Sequence, residues 1–262
     1  MSSGTPSCPT RNGGGSSPRG WTTRTTNDSS PAVSGGLVYV GARASDSTER
    51  LCALDARTGR LRWAFRTRGR AGSPVVSGGT VCVADEVSYL YALDAATGRR
   101  RWTFATGDQV ETAPAVSGGT VLVGGDDRRL YALDAATGRK RWEFSAGAAV
   151  NVSPAVSGDV VCAGVGRNPG ILYGVDLATG RQHWKSTFGS GIASAGLTVA
   201  GGLVLLGVDG RLFAMDAGSG RRRWKCDMGK GGVNSRSVPA GSGSVAYVSG
   251  YGGVYAVDAK GT

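Results

Sequence analysis

Residues 92–102, ALDAATGRRRW, carry an aspartate (Asp94), a Thr97-Gly98 turn and a tryptophan (Trp102) eight positions after the aspartate. The pattern returns at Asp55/Trp63, Asp134/Trp142, Asp176/Trp184 and Asp216/Trp224. A sixth aspartate, Asp258, has no tryptophan after it, and a sixth tryptophan, Trp21, has no such aspartate before it. Successive aspartates lie 39, 40, 42, 40 and 42 residues apart. A period near forty, carried by short apolar strands, marks a β-propeller array and predicts an all-β fold.

The segment from Pro114 to Phe144 reads as one complete unit. Ala115 and Val116 start a strand, and Ser117-Gly118-Gly119 turn it. Thr120 to Gly124 form a second strand, Asp126-Asp127-Arg128 a loop, and Leu130 to Leu133 a third strand. The turn from Asp134 to Gly138 then leads into a fourth strand bearing Trp142 and Phe144. Short antiparallel strands joined by glycine-containing turns make one propeller blade. The aspartate side chain can accept backbone N–H groups of the turn that follows it, and Gly138 supplies the positive-φ residue. The small residue two before each aspartate (Ala53, Ala92, Ala132, Gly174, Ala214 and Ala256) leaves room for an aromatic ring to approach the sheet. The tryptophan offers the largest apolar area and is expected to wedge between blades.

The two unmatched ends fit each other. The last unit, Val238 to Asp258, stops where its tryptophan strand would begin, and Trp21-Thr22-Thr23 looks like a lone fourth strand. An N-terminal strand that completes the C-terminal blade gives a ring of six four-stranded blades with no open sheet edge. A piece of a larger, seven- or eight-bladed ring is the alternative. Residues 1–20 are rich in Ser, Gly, Pro and Arg with almost nothing to bury, and are expected to be a disordered tail. Residues 21–262 are expected to form one propeller domain, because each unit buries its faces only against its neighbours.

The 262-residue chain carries a net charge of +11, with arginine far ahead of lysine. Such a balance suits an anionic partner, nucleic acid or membrane surface, and equally the Arg-, Ala- and Gly-rich composition of a GC-rich genome. The five cysteines include no CxxC and no adjacent pair. Cys52, Cys82, Cys162 and Cys226 stand where other units have Tyr, Leu or Phe, and are expected to act as small buried hydrophobes. Residues 1–20 lack an apolar stretch, so no export signal is read and the chain as given reads as cytoplasmic. The longest uncharged run, Ser186 to Val208, holds six glycines and keeps the repeat register. It reads as two strands and their turn, not as a membrane span.

The pattern Ala-x-Asp-x-x-x-Gly-x-x-x-Trp runs from Ala53, Ala92, Ala132 and Ala214, with Gly174 in the alanine's place once. It resembles the tryptophan-docking motif of quinoprotein propellers. On that motif the chain is similar to the PQQ-like (pyrroloquinoline quinone-like) repeat propellers over essentially all of 21–262. The resemblance implies a β-propeller and, by the family's range, one of three roles: quinoprotein dehydrogenase, BamB-like outer-membrane assembly scaffold, or sensor module of a bacterial Ser/Thr kinase. It also implies that relatives are often extracytoplasmic. Dehydrogenases of the family are larger and typically hold their quinone against a vicinal disulfide, with a Ca²⁺ site and an aspartate base. This chain has no adjacent cysteines, and its six repeated aspartates are assigned to turns. A residue present in every blade is architecture, whereas an active site needs residues that occur once. The expected role is therefore a non-catalytic scaffold or sensor that binds a protein or small-molecule ligand, with no cofactor. A dehydrogenase piece using PQQ with calcium is the alternative.

Residues outside the repeat supply the candidate sites. His183, the only histidine, precedes Trp184 on an outer strand and has no further metal ligands at suitable spacing, so it reads as an exposed strand residue. Loops from the fourth strand of one blade to the first of the next carry Asp108, Gln109, Glu111, Asn151, Asn234 and Arg236. In a propeller such loops gather at one mouth of the central channel, which makes these the candidate ligand or partner residues. After the Thr-Gly turns come Arg60 and Arg62, Arg99, Arg100 and Arg101, Arg139, Lys140 and Arg141, and Arg221, Arg222 and Arg223, a candidate basic rim. The rim suits phosphate or acidic partners, but no distinctive aromatic residues interleave with it for stacking on bases.

Overall fold

The computed structural model describes residues 29–44, 46–192, 196–228, 240–242, 245–250 and 253–258. These contain strands and turns and no helix. The strands run through successive antiparallel sheets in chain order. The first sheet holds β1 (Ala32–Ser34), β2 (Leu37–Arg43), β3 (Glu49–Asp55) and β4 (Leu61–Arg66). The second holds β5 (Val75–Ser77), β6 (Thr80–Ala84), β7 (Tyr89–Asp94) and β8 (Arg100–Ala105). The third holds β9 (Ala115–Ser117), β10 (Thr120–Gly124), β11 (Arg129–Asp134) and β12 (Lys140–Ser145). The fourth holds β13 (Val152–Ser157), β14 (Val160–Val165), β15 (Ile171–Asp176) and β16 (Gln182–Thr187). The fifth holds β17 (Thr198–Ala200), β18 (Leu203–Val208), β19 (Arg211–Asp216) and β20 (Arg222–Asp227). Three described strands make the sixth: β21 (Ala240–Ser242), β22 (Val245–Gly250) and β23 (Gly253–Asp258).

First strands of consecutive sheets touch one another, from β1 to β5 and onward to β21, so they line the inside of a propeller. Apolar side chains pack between sheets, each cluster joining one blade to the next. Leu122, Leu130 and Trp142 of the third sheet meet Val161, Ala163 and Tyr173 of the fourth. Strands β6, β10, β14 and β18 are buried along their whole length, because a blade inside the array is covered on both faces. The uncharged run from Ser186 to Val208 contains the end of β16 and then β17 and β18, as its glycine-broken pattern predicts.

The repeated aspartate builds the turn before each fourth strand. Asp134 Oδ1 accepts the Thr137 N–H at 2.9 Å and the Thr137 hydroxyl at 2.8 Å, and Gly138 follows at φ +72°. Docked on that turn is the tryptophan of the preceding blade. The Trp102 indole N–H donates to the Ala135 carbonyl at 2.9 Å, and its ring lies where a Cβ on Gly138 would stand, 2.6 Å away. Trp63, Trp142 and Trp184 donate in the same way to Ala95, Leu177 and Ala217. The tryptophan thus wedges between blades as expected, and what admits it is the turn glycine of the next blade. The small residue two before the aspartate instead faces the tryptophan of its own sheet, as Ala132 faces Trp142.

One cysteine departs from expectation. Cys52, Cys82 and Cys162 are buried, but Cys226 is exposed. It occupies the position of Phe104 and Phe144, whose rings reach Tyr131 and Tyr173 of the following sheet at 5.2 Å. A thiol is too short to make that contact. Expectations for residues 1–20, for the strand at Trp21 that would close a six-bladed ring, and for Asn234 and Arg236 lie outside the described residues.

Candidate functional site: the channel mouth and the arginine rim

Each fourth strand ends at the side of the molecule where the next first strand begins, so the connecting loops collect there. A cavity of ≈ 420 Å³ opens among them. Part of its wall comes from the residue before a proline at the start of successive units: Ser30, Ser73, Ala113 and Ser153. Neighbours in that series are bonded across blades, Ser30 N–H to Ser73 Oγ and Ala113 N–H to Ser153 Oγ, each at 2.9 Å. Thr112 ties its loop to β10 by donating to the Gly124 carbonyl at 2.9 Å. Arg70 and Glu86 form an ion pair at 3.0 Å on the cavity wall.

Of the mouth residues expected from sequence, Gln109 and Glu111 line this cavity. Asp108 turns back to its own loop, where its carboxylate accepts the Gln109 N–H at 2.8 Å and its carbonyl accepts the Thr106 hydroxyl at 2.7 Å. Asn151 Oδ1 accepts the Gly166 N–H at 2.7 Å, fastening the loop before β13 to the β14–β15 hairpin. Close by, burial and then the neighbouring Asp108 raise the Asp126 carboxyl above its ordinary value.

Sequence reading missed the groups that hold the mouth in shape. Asp85 is fully buried and accepts N–H groups of Arg68, Gly69, Val87, Ser88 and Tyr89, with the Tyr91 hydroxyl at 2.8 Å. Burial first, and the bond to Asp85 second, push the Tyr91 hydroxyl up. Asp127 does similar work one blade on, accepting the Gly107 N–H at 2.8 Å and the Tyr131 hydroxyl. Neither carboxylate belongs to the forty-residue pattern, and only their place in the hairpin between second and third strands could have marked them. The hydroxyl-bearing wall had a plainer signal, the Ser-Pro steps at Ser30, Ser73 and Ser153.

At the opposite end lie the basic residues, and the structure divides them. Ala132 faces Trp142 while Leu133 faces Lys140, so Arg141 is an extra residue in its strand. Such a bulge re-aims a side chain. Arg141 reaches the Asp134 carboxylate and the Thr120 hydroxyl, both at 2.7 Å. Arg101 repeats this with Asp94 and Thr80 at the same distances. Arg223 lies 3.7 Å from Asp216, and His183, at the corresponding position, 3.4 Å from Asp176. Lys140 pairs with Glu143 at 2.6 Å. Arg60, Arg99, Arg100, Arg139, Arg221 and Arg222 are exposed on the same edge.

Comparison with known proteins follows this geometry. The family model described as outer membrane protein assembly factor BamB matches residues 18–75, 53–168 and 154–262. No curated protein matches the chain. Among solved structures, BamB from Moraxella catarrhalis is 28% identical with a TM-score of 0.67, over 87% of this chain and 69% of its own. The computationally designed Ika8 protein is 17% identical with a TM-score of 0.74, over 88% of this chain and 70% of its own. The quinohemoprotein alcohol dehydrogenase ADHIIG from Pseudomonas putida HK5 is 19% identical with a TM-score of 0.59, over 79% of this chain and 43% of its own. The last two likenesses are of fold. The chain belongs to the BamB-like family of PQQ-repeat β-propellers.

Proposed function

We propose that this propeller is a non-catalytic scaffold that recognises a segment of a partner protein at the channel mouth, with Gln109 and Glu111 among the contacting residues. The observation that carries the reading is the ≈ 420 Å³ cavity walled by hydroxyls, backbone and the Arg70–Glu86 pair. Donors and acceptors lie side by side there, which suits the alternating polarity of a peptide backbone. Its size falls within the range of about 300–1,000 Å³ typical of ligand sites. The family's description, an outer membrane protein assembly factor, points the same way. Among the described residues no helix is long and apolar enough to cross a membrane.

The cavity does not fit a PQQ–calcium centre. Its lining has no aromatic ring to stack on a planar quinone, and Glu86 is committed to Arg70. Among the described residues no group of three or more His, Cys, Asp or Glu stands together as a cation site.

Selection of a displayed peptide library on the full chain tests the reading. Selected peptides should lose at least about tenfold in affinity to a Gln109→Ala/Glu111→Arg variant, the size of a central interface contact. Undiminished binding to that variant overturns the assignment of the mouth. Dye-linked alcohol oxidation appearing on addition of PQQ and Ca²⁺ overturns the non-catalytic reading.

A further inference from the structure

A second cavity, of ≈ 260 Å³, lies between the second and third sheets at the end of the aspartate turns, away from the mouth. Its second-sheet wall is the β5–β6 hairpin with Cys82 and Arg101, and its third-sheet wall includes Val116, Val121 and Ala135. Neighbouring interfaces show why space opens here. Cys82 stands where the first sheet has Tyr39 and the third has Leu122, each opposite the small residue two before the aspartate. Tyr39 crosses to the second sheet, donates to the Ala95 carbonyl at 3.1 Å and leaves Ala95 buried. Leu177 follows Asp176 as Ala135 follows Asp134, and its Cδ2 lies 3.9 Å from a Cβ built on Gly118 of the preceding sheet. One sheet back, nothing lies within 4 Å of a Cβ built on the equivalent Gly78. Between the fourth and fifth sheets Cys162 and Ala217 are equally small, but Val160 and Met215 replace Thr80 and Leu133 there, and Ala217 is 2% exposed. Ala135 is only half-buried. The second and third sheets thus meet with a thiol and a methyl group where other interfaces place larger side chains.

Arg101 is the polar end of the cavity. It donates to the Thr80 hydroxyl at 2.7 Å, the Gly79 carbonyl at 3.2 Å and the Asp94 carboxylate at 2.7 Å. A guanidinium has more N–H donors than those contacts use and no acceptor, so what remains on offer is a donor. Its charge is already balanced by Asp94. An anion would have to compete with that carboxylate, whereas an uncharged oxygen would not. A cavity of about 150 Å³ is enough for a benzene ring, so this one has room for a ring and a short polar group.

We propose that the cavity binds a compact uncharged organic molecule, its apolar body against Cys82, Val116, Val121 and Ala135 and a carbonyl or hydroxyl oxygen accepting from Arg101. The ligand takes the place that Tyr39 and Leu177 fill in the interfaces on either side, and so bridges the two blades. The site is separate from the mouth and does not depend on what the mouth binds.

Three probes of one shape test the proposal on the full chain by equilibrium dialysis at neutral pH. Acetophenone supplies a ring and a carbonyl, ethylbenzene lacks the oxygen, and benzoate carries a charge. Acetophenone should bind saturably and more tightly than either of the others. Ala135→Leu, which copies Leu177, should fill the cavity and weaken acetophenone about tenfold or more. Cys82→Leu, which copies Leu122, should do the same from the other wall, and urea unfolding of both variants shows that the fold is kept. No saturable acetophenone binding up to its solubility limit overturns the site. Binding that both filling variants leave unchanged, or that Gln109→Ala/Glu111→Arg weakens, places the probe elsewhere and overturns it too. Ethylbenzene binding as tightly as acetophenone removes the role of Arg101, and tighter benzoate binding overturns the uncharged class.

Discussion

The indole–glycine seat can be weighed by a double-substitution cycle between Trp142 and Gly180. Trp142 is 9% exposed, and its N–H donates to the Leu177 carbonyl at 2.9 Å. Truncation to alanine removes the ring and leaves a cavity, a loss of about 3–5 kcal/mol for a buried tryptophan. About 1 kcal/mol of that belongs to the hydrogen bond. Gly180→Ala acts from the other side. At φ +74° it places a Cβ in the left-handed region, at a cost of about 1–2 kcal/mol. The new methyl would also stand 2.8 Å from the Trp142 ring, and such overpacking adds about 1–3 kcal/mol. With the indole already removed, only the backbone strain remains. The double variant should therefore be more stable than the two single losses added together, by about 1–3 kcal/mol, the expected size for residues in contact. Urea unfolding followed by far-UV circular dichroism measures all four corners of the cycle. Additivity within about 0.5 kcal/mol would refute the claim that the glycine exists to admit the ring.

Three further outcomes follow from the same contacts. Asp94 and Asp134 are held at about 2, against an ordinary aspartate value of 3.8, first by the bonds from Arg101 and Arg141 and then by Thr97 and Thr137. A folded-state value below the unfolded one means that their contribution is present above about pH 4 and drains away toward about pH 2, so Asp94→Asn with Asp134→Asn should flatten the acid limb of urea midpoints. Burial pushes the Cys82 and Cys162 thiols up to about 12, so an aromatic disulfide reagent should modify exposed Cys226 in the folded chain and reach those two only after unfolding. Asp85→Ala strands a set of buried donors and should cost about 3 kcal/mol or more, with faster proteolysis of the loop at 67–72.

Legibility in the sequence followed repetition. The unit from Pro114 to Phe144 was readable nearly to the residue, because alternation and glycine turns recur in register and each copy corrects the reading of the others. Strand β11 begins at Arg129, one residue before the expected Leu130. The mouth behaved differently. Gln109 and Glu111 were placed by loop logic alone, while Asp108 and Asn151, equally polar and on equivalent loops, spend their oxygens on backbone N–H groups. Polarity in a loop does not tell a free side chain from one that staples the loop. Asp108 closes on the adjacent Gln109 N–H and Asn151 on the Gly166 N–H 15 residues on, and which N–H comes within reach is set by how the loops fold. Asp85 and Asp127 were hidden for the same reason.

The arginine rim shows how the division between architecture and surface bears on binding. A net charge of +11 invites the reading of a continuous anion-binding edge. In the second and third sheets the third cation after the turn is a bulge residue aimed at its own aspartate, so Arg101 and Arg141 already hold a carboxylate at 2.7 Å. An anion that recruited them would have to break that bond, whereas Arg99 and Arg100 face solvent. Exposed pairs of this kind contribute only about 0–1 kcal/mol to stability, so the effect is best read in two assays at once. Arg99→Ala/Arg100→Ala should weaken retention on a polyanionic heparin column at low salt and leave the acid limb of unfolding unchanged. Arg101→Ala should do the reverse, because it removes the first of the contacts that hold the Asp94 carboxyl down and leaves only those from Thr97. If Arg101→Ala weakens heparin retention as much as the other pair while leaving acid stability intact, the bulge does not commit the guanidinium to the turn, and the rim acts as one surface.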